Sequence, residues 1–139
     1  MHVPGGLPSV ITVASTNKKG NKADYSNYGS IISISSPTGS FGEQYATTGQ
    51  IDAREMMMTY YPLTKESIIG SLAGFPKGYT LSFGTSLAAP AVSAAVAVIL
   101  SKNICQDRDV ESIILQLMRN SEPFKEDSEN IGYGELRIK

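Results

Sequence analysis

The sequence predicts a folded α/β chain, and three observations support this prediction. Short β-branched runs bounded by turn residues, such as residues 10–13, are typical of strands. Two later segments have the composition or the apolar spacing of helices. Hydrophobic residues make up 41% of the 139 residues and charged residues only 18%, which excludes a disordered chain. No repeat or linker divides the sequence, so residues 1–139 are expected to form one unit.

The first third of the chain predicts two strands. Residues 10–13 form the first, and the turn-rich segment 17–21 follows it. Residues 31–35 form the second, which Pro37 ends. Residues 24–29 lie between the two strands and are polar and aromatic, so they are expected to form a loop. Residues 40–78 show no clear pattern, and their Met56–Met58 triplet is expected to pack in the core or under a lid, not to bind a metal or cofactor.

Residues 79–83 alternate between apolar and polar, which predicts a strand, and a helix is predicted from Ser86 onward. This helix has small or apolar side chains on nearly every side and no charge, so we expect it to be buried all round. The uncharged run from Gly78 to Ser101 is long enough to span a membrane, but its first part is strand-like. Its apolar part, residues 87–100, is too short to span, so no membrane span is predicted.

A second, amphipathic helix is predicted after Asp107 or Asp109, either of which could be its N-cap. Residues 136–138 alternate and predict a last strand, and the acidic residues 126–129 are expected to form a solvated loop. The helix has apolar residues at the spacing of one face: Val110, Ile113, Ile114, Leu117 and Met118.

The charge balance excludes several classes of partner. Twelve Lys and Arg against 13 Asp and Glu give a net charge of −1, which excludes a polybasic binder of nucleic acid or anionic membrane. The cluster of Lys18, Lys19 and Lys22 is expected to be a solvated turn, not a phosphate site. No Cys or His residues have the spacing of metal ligands. The single Cys105 has no His near it in sequence and is expected to be a partly buried apolar residue.

Ser86 is the candidate catalytic residue. It lies where the predicted strand turns through Gly84 into the uncharged helix, so its hydroxyl and its backbone N–H would both lie at a helix N-terminus. Unpaired N–H groups and the positive end of the helix dipole favour negative charge on a substrate oxygen there. Gly84 leaves room for a substrate backbone, and Pro90 is expected in the first turn, where a missing donor costs little. The alternative is that Ser86 is a plain N-cap.

Residues 83–93 (FGTSLAAPAVS) resemble the nucleophile segment of subtilisin-like serine peptidases. Residues 7–15, 25–29 and 36–39 fall in order where those enzymes have comparable strand and loop segments. Residues 51–62, followed by 78–82, are similar to the branch that processes lantibiotic leader peptides, the epidermin-type peptidases in particular.

The resemblance implies a three-layer α/β fold with a mainly parallel sheet, of which this chain is the C-terminal part. It implies that Ser86 attacks a peptide carbonyl while its backbone N–H holds the oxyanion, that a His takes the proton, and that an Asp orients the His. The expected substrate is a peptide, such as a lantibiotic precursor leader. No cofactor is expected, and the structural calcium of some subtilases cannot be assigned to residues here. The implied location is extracellular or at the cell surface, although residues 1–16 contain no signal peptide.

The sequence departs from the family in its proton-transfer residues. Its only His is His2, which lacks the context of the family's catalytic His, and no Asp precedes it. Asn17, Asn21 and Asn27 do not fit the motif of the oxyanion Asn. We therefore expect no useful turnover from the chain alone and expect its partner to be the missing N-terminal half of the catalytic domain. The alternative is a truncated remnant without catalysis, or one half of a split protein that acts by association.

Two other enzyme classes fit less well. Gly84 to Ala88 nearly supply the Gly-x-Ser-x-Gly of α/β-hydrolases, but that fold needs a His after the Ser and none exists. Ser15 and Lys18 match the Ser-x-x-Lys spacing of penicillin-recognising enzymes, but they lie at a predicted strand end and not in a helix.

Overall fold

The structure, a computed structural model, describes residues 4–104, 109–124 and 131–137. Its strands are β1 (Val13–Thr16), β2 (Ile34–Pro37), β3 (Met57–Tyr60), β4 (Tyr79–Ser82), β5 (Ser121–Glu122) and β6 (Glu135–Leu136). Its helices are α1 (Tyr45–Thr48), α2 (Ile68–Leu72), α3 (Thr85–Ser101) and α4 (Val110–Arg119), and Ala53–Glu55 form a 3₁₀ turn.

Four strands form the main sheet in the order β1-β2-β6-β5. β1 pairs with β2 in parallel, with Val13 opposite Ile34, and β2 pairs with β6 in parallel. Among the described strands of this sheet, β5 runs antiparallel to its neighbour β6. The predicted α/β fold with a mainly parallel sheet is thus confirmed.

Both early strands begin three residues later than the sequence predicts. The Val10 N–H donates to the Leu7 carbonyl at 3.0 Å, and the Ile32 N–H donates to the Gly29 carbonyl at 3.1 Å. These two turns therefore include the first residues of the strands predicted at 10–13 and 31–35. The ladder between the two strands begins only at Val13 and Ile34, because that is where each strand first has a partner.

The core lies on one face of the main sheet, beneath α3 and α4. Val92 and Ile99 of α3 and Leu117 of α4 are buried there against Ile34 of the sheet. A smaller cluster of Ala14, Ile32 and Ile131 lies apart from it. Because neighbouring residues of a strand face opposite sides, Val13 packs against the first cluster and Ala14 belongs to the second. Among the described residues, therefore, the two long helices form one layer on one face of the sheet.

Helix α3 is buried on one side only, so the prediction that it is buried all round was wrong. Its buried residues form a single stripe that faces the sheet: Ala88, Val92, Ala95 and Ile99. The opposite stripe begins at Ser86 and is exposed through Ala89, Ala94 and Val98, with no charged residue. The reason is that the elements of the described chain cover only one face of this helix.

β3 and β4 form a separate antiparallel pair, in which Met57 lies opposite Ser82. Helix α2 packs on one face of this pair, where the hydroxyls of Ser67 and Thr80 are 2.6 Å apart. Met58 is 55% exposed, so the methionine triplet does not pack in the core. The strand predicted at residues 79–83 is confirmed within one residue.

Asp109 is the N-cap of α4, and its side chain accepts a hydrogen bond from the Ser112 N–H at 2.9 Å. The helix buries Ile113 and Leu117, as its spacing predicts. The other predicted cap, Asp107, lies outside the described residues, as do His2, Cys105, Ile138 and the acidic residues 126–129. In the part of the chain that is described, no helix combines the length and apolarity needed to cross a bilayer.

The Asp109 cap predicts that the folded chain loses stability as the pH falls into the acidic range. The backbone N–H of Ser112, together with the Ser112 hydroxyl, holds the pKa of the Asp109 carboxyl below its ordinary value. A lowered folded pKa contributes stability above the unfolded pKa, near pH 4, and this contribution is lost as the pH falls through the folded pKa. We expect Asp109→Asn, which keeps the acceptor without the charge, to flatten the dependence of the urea midpoint on pH between about 3 and about 6. Identical pH profiles for the two chains would contradict this account of the cap.

Candidate active site

Ser86 is the second residue of α3, and its side chain is exposed. Gly84 is the N-cap of this helix, and no side chain makes a capping hydrogen bond. The alternative that Ser86 is a plain N-cap is therefore wrong. Within the described ranges, the Ser86 hydroxyl has no hydrogen-bond partner, which leaves it open to other groups.

The backbone at the start of α3 presents free donors. The Leu87 N–H donates to the Gly84 carbonyl at 2.9 Å. The N–H groups of Thr85 and Ser86, which come first in the helix, have no acceptor in the described part of the chain. The positive end of the helix dipole adds to their effect. An oxygen that gains negative charge beside Ser86 would thus meet at least one free main-chain donor.

Gly84 has a backbone conformation that only glycine adopts without strain, with φ 131° and ψ 152°. A Cβ at this position would lie 3.3 Å from the Ser86 Oγ. The glycine is therefore needed both for the sharp turn from β4 into α3 and for the space beside the hydroxyl.

Pro90 lies in the second turn of α3 and not in the first, where the sequence predicts it. The helix begins at Thr85, ahead of Ser86, which makes Pro90 its sixth residue. In a regular helix the N–H of this residue would donate to the Ser86 carbonyl. Since proline has no N–H, the Ser86 carbonyl is without its helical donor.

An aromatic cluster packs beside the Gly84 turn, through Phe83. The ring of Phe83 lies 5.4 Å from that of Tyr25 and 4.8 Å from that of Phe41, and Tyr45 packs on Phe41 at 4.4 Å. The Tyr25 hydroxyl donates to the Gly39 carbonyl at 2.8 Å. Because Tyr25 and Gly39 follow the carboxyl ends of β1 and β2, the turn lies near that edge of the sheet. The sequence contains no local signal for this cluster, since its members come from separate segments.

The described residues bring no His to Ser86 that could take its proton. His2 is the only His of the sequence and lies outside them. Asn17 holds its own turn, because its Oδ1 accepts from the Lys19 N–H at 2.9 Å and from the Asn21 N–H at 3.0 Å. In the described ranges, no three His, Cys, Asp or Glu residues come together as a metal site.

The lysine cluster is engaged by other groups. Lys19 forms an ion pair with Glu43, which raises the pKa of Lys19 and lowers that of Glu43. The Lys18 ammonium donates to the Arg54 carbonyl, and Lys22 lies over the Tyr28 ring at 5.1 Å. These contacts fit a solvated turn.

The chain is similar to known peptidases over nearly its whole length. Residues 1–134 match the family model of the subtilases, the peptidase S8 family. A lanthipeptide protease of known crystal structure is similar, with 31% identity and a TM-score of 0.84 over 99% of this chain and 43% of its own. The epidermin leader peptide processing serine protease (EpiP) from Staphylococcus aureus has 27% identity and a TM-score of 0.66 over 96% of this chain and 30% of its own. The comparison with curated proteins gave no significant match.

The prenylagaramide maturation protease PagA, with 23% identity and a TM-score of 0.64 over 99% of this chain and 43% of its own, shares the fold. The chain thus spans less than half the length of each of these proteases. The family match covers β1 and β2 of the parallel sheet, the Gly84 turn and the helix that begins beside Ser86, and it ends just before β6. On this match, the chain belongs to the subtilase family of serine peptidases.

Proposed function

We propose that this chain is the nucleophile-bearing, C-terminal part of the catalytic domain of a serine endopeptidase. The observation that carries the proposal is the position of Ser86. Its hydroxyl is exposed and unbonded within the described residues, beside a free main-chain N–H at the start of an uncharged helix. In this mechanism the Ser86 Oγ attacks a peptide carbonyl, and the Ser86 N–H stabilises the resulting oxyanion.

The remaining catalytic groups would come from the rest of the domain. A general base must lie within hydrogen-bond distance of the Ser86 Oγ, and the described residues contain no His. The proposal therefore assigns the His, the Asp that orients it and a second oxyanion donor to the N-terminal half. The chain alone is expected to give no useful peptide cleavage.

The proposed substrate is the leader region of a precursor peptide of the lantibiotic type. Two observations support this substrate. Residues 51–62 resemble the branch of the family that processes leader peptides. In addition, two similar structures are those of a lanthipeptide protease and of an epidermin leader peptide processing protease. A protease with such a substrate would act outside the cell or at its surface, which is the location we propose.

The rival proposal is a chain without catalysis, whose role is structural or depends on association. The exposed, uncharged stripe of α3 favours association as such, because it suits contact with another polypeptide. This exposed stripe does not distinguish a catalytic complex from an inert one, so the test must measure peptide cleavage.

The test uses this chain co-expressed with the part of the lanthipeptide protease that it does not cover, hereafter the reconstituted complex. We expect the complex to cleave a lanthipeptide precursor between leader and core, and the chain alone to leave it intact. Cleavage fragments are identified by mass spectrometry. A complex that forms and is folded but never cleaves precursor peptides would contradict the proposed function. Ser86-dependent cleavage by the chain alone would contradict the assignment of the base to the other half.

Leu87, which follows Ser86 in the sequence, is expected to make the activity resistant to peroxide. Subtilases often have Met after the nucleophile, and its oxidation to the sulfoxide places a polar group beside the reacting atoms. Leu87 cannot be oxidised in this way. We expect the reconstituted complex to keep its activity after peroxide treatment and its Leu87→Met variant to lose most of it. Equal loss in both proteins would show that another residue controls the sensitivity to peroxide.

A further inference from the structure

The connection between β3 and β4, residues 61–78, exposes all of its large aliphatic side chains. Each of its Leu and Ile residues is at least 45% exposed, and Leu72 reaches 85%. These residues are Leu63, Ile68, Ile69 and Leu72. Most Leu and Ile residues of folded proteins are buried, so their collective exposure in one segment needs an explanation. Apolar side chains concentrated on a surface mark contact with a protein or with a membrane.

Helix α2, which lies within this connection, packs on β4 through a glycine. Gly70 is buried, and a Cβ there would collide with the Tyr79 carbonyl oxygen, so the helix backbone lies directly against the strand. The Ser67 hydroxyl accepts from the Gly70 N–H at 3.0 Å and contacts the Thr80 hydroxyl. Backbone and hydroxyl contacts therefore fix the inner side of α2, and the helix buries no aliphatic side chain.

Ile68 and Leu72 form the outer face of α2, on the side away from β4. Because a helix turns by about 100° per residue, each of them lies about 160° around the helix axis from Gly70. Being four residues apart, they are neighbours on this face. A helix with one side against the protein normally presents polar residues on the other side. The outer face of α2 presents an Ile and a Leu instead, 77% and 85% exposed.

The residues around this face suit the headgroup region of a lipid bilayer. Residues 61–78 contain two lysines, Lys65 and Lys77, and one acidic residue, Glu66, so the connection is positive although the whole chain has a net charge of −1. At its base the rings of Tyr60 and Tyr79 pack at 5.3 Å. Aliphatic side chains flanked by tyrosine and lysine are typical of segments that lie in the interface of a membrane.

We propose that the outer face of α2 docks on the surface of a lipid bilayer, with Ile68 and Leu72 inserted between the headgroups and Lys65 and Lys77 beside anionic ones. Insertion of apolar side chains provides the main attraction, so the docking needs no polybasic surface. β4 leads from this connection to the Gly84 turn, so docking would hold Ser86 close to the bilayer. The docking does not require that the chain be a peptidase.

The small size of the outer face favours a bilayer over a protein partner. A stable protein interface uses about 20–30 residues from each side. The whole connection has 18 residues, and those on its inner side are already packed on β4. A few inserted aliphatic side chains are enough for reversible attachment to lipid, and nearby lysines strengthen it when the headgroups are anionic.

The experiment mixes the full chain, alone and in the reconstituted complex, with vesicles of phosphatidylcholine or of phosphatidylcholine with phosphatidylglycerol. Bound protein floats with the vesicles in a density gradient, whereas aggregated protein sinks. We expect both preparations to float with both kinds of vesicle and to bind the anionic vesicles more tightly. Ile68→Ser together with Leu72→Ser should weaken binding at least about tenfold.

Fluorescence reports insertion directly, because the chain contains no Trp. In the chain alone, the emission of a Leu72→Trp variant should shift to shorter wavelength when vesicles are added. The matched control for the double variant is Ile31→Ser together with Leu115→Ser, an Ile and a Leu that are exposed elsewhere. This control should float as the original chain does.

Three results of flotation would overturn the proposal: a folded chain that does not float, equal affinity of the Ile68 and Leu72 double variant, or an equal loss in the control. If that double variant instead breaks a homodimer or fails to join the reconstituted complex in analytical ultracentrifugation, the outer face of α2 is a protein interface and the proposal is wrong. Failure of the proposed function is distinguishable, because a complex that floats through Ile68 and Leu72 but never cleaves a peptide would reject only the endopeptidase.

Discussion

Replacing Ser86 with alanine is expected to abolish cleavage of the precursor by the reconstituted complex. If the Ser86 Oγ forms the acyl intermediate, no other group can substitute for it, and kcat should fall by about a millionfold, as it does when a serine peptidase loses its nucleophile. The fold should be unaffected, because the hydroxyl is exposed and makes no hydrogen bond within the described residues.

The measurement is the single-turnover rate of precursor cleavage, with the urea midpoint as a check on folding. Ser93→Ala is the matched control. Ser93 lies on the same exposed stripe two turns along the helix, and its hydroxyl donates to the Ala89 carbonyl at 3.0 Å. The control should cleave at nearly the original rate. Cleavage by the Ser86→Ala complex at more than about a thousandth of the original rate would remove Ser86 from the role of nucleophile.

Gly84→Ala should produce the second largest loss. At φ 131° an alanine would be strained by about 1–3 kcal/mol. Its Cβ would also lie 3.3 Å from the Ser86 Oγ, closer than most neighbours of a Cβ. Both effects would be relieved by moving the turn and the hydroxyl with it. A displacement of about 1 Å at a reacting atom costs on the order of a hundredfold in rate, which is the loss that we expect in kcat.

Gly49→Ala is the matched control for Gly84→Ala. It introduces backbone strain away from the Gly84 turn, so it shows whether strain alone lowers kcat or whether the Ser86 hydroxyl must also be displaced. Gly49 has φ 69°, and its Cβ would meet nothing within 4 Å. This variant should lose some stability but keep the kcat of the reconstituted complex. The kinetic comparison is made under conditions in which both variants are folded by circular dichroism. Equal kcat values for the two variants would show that the Gly84 turn does not position Ser86.

The sequence predicts the two long helices but not α1 and α2, which lie in the segment 40–78 that shows no clear pattern. The Asp109 cap and the spacing of Val110 to Met118 locate α4, because both signals are local. The strands are less accurate, since β propensity marks residues that can form a strand, whereas the ladder begins where a partner is available. β3 was unpredictable for the same reason: Met57–Tyr60 are strand residues only because they pair with Tyr79–Ser82.

The candidate site also has one part that can be predicted from local sequence and one part that depends on tertiary contacts. Ser86 and Gly84 are recognisable in sequence because the turn, the helix start and the motif lie in one short segment. The support by Tyr25, Phe41 and Phe83 depends on tertiary contact and leaves no local signal. The burial of α3 was overestimated because the helix has no charge on any side, whereas the described residues cover only one of its sides.

Reaction of Ser86 with a fluorophosphonate probe is the most direct test, because the probe modifies a serine that a neighbouring base has activated and ignores an ordinary surface serine. Mass spectrometry of the digested chain locates the modified residue. Stoichiometric modification of Ser86 in the reconstituted complex, and little in the chain alone, is the predicted result. If Ser86 stays unmodified in a complex that is folded and fully assembled, this chain does not carry the nucleophile of a serine peptidase.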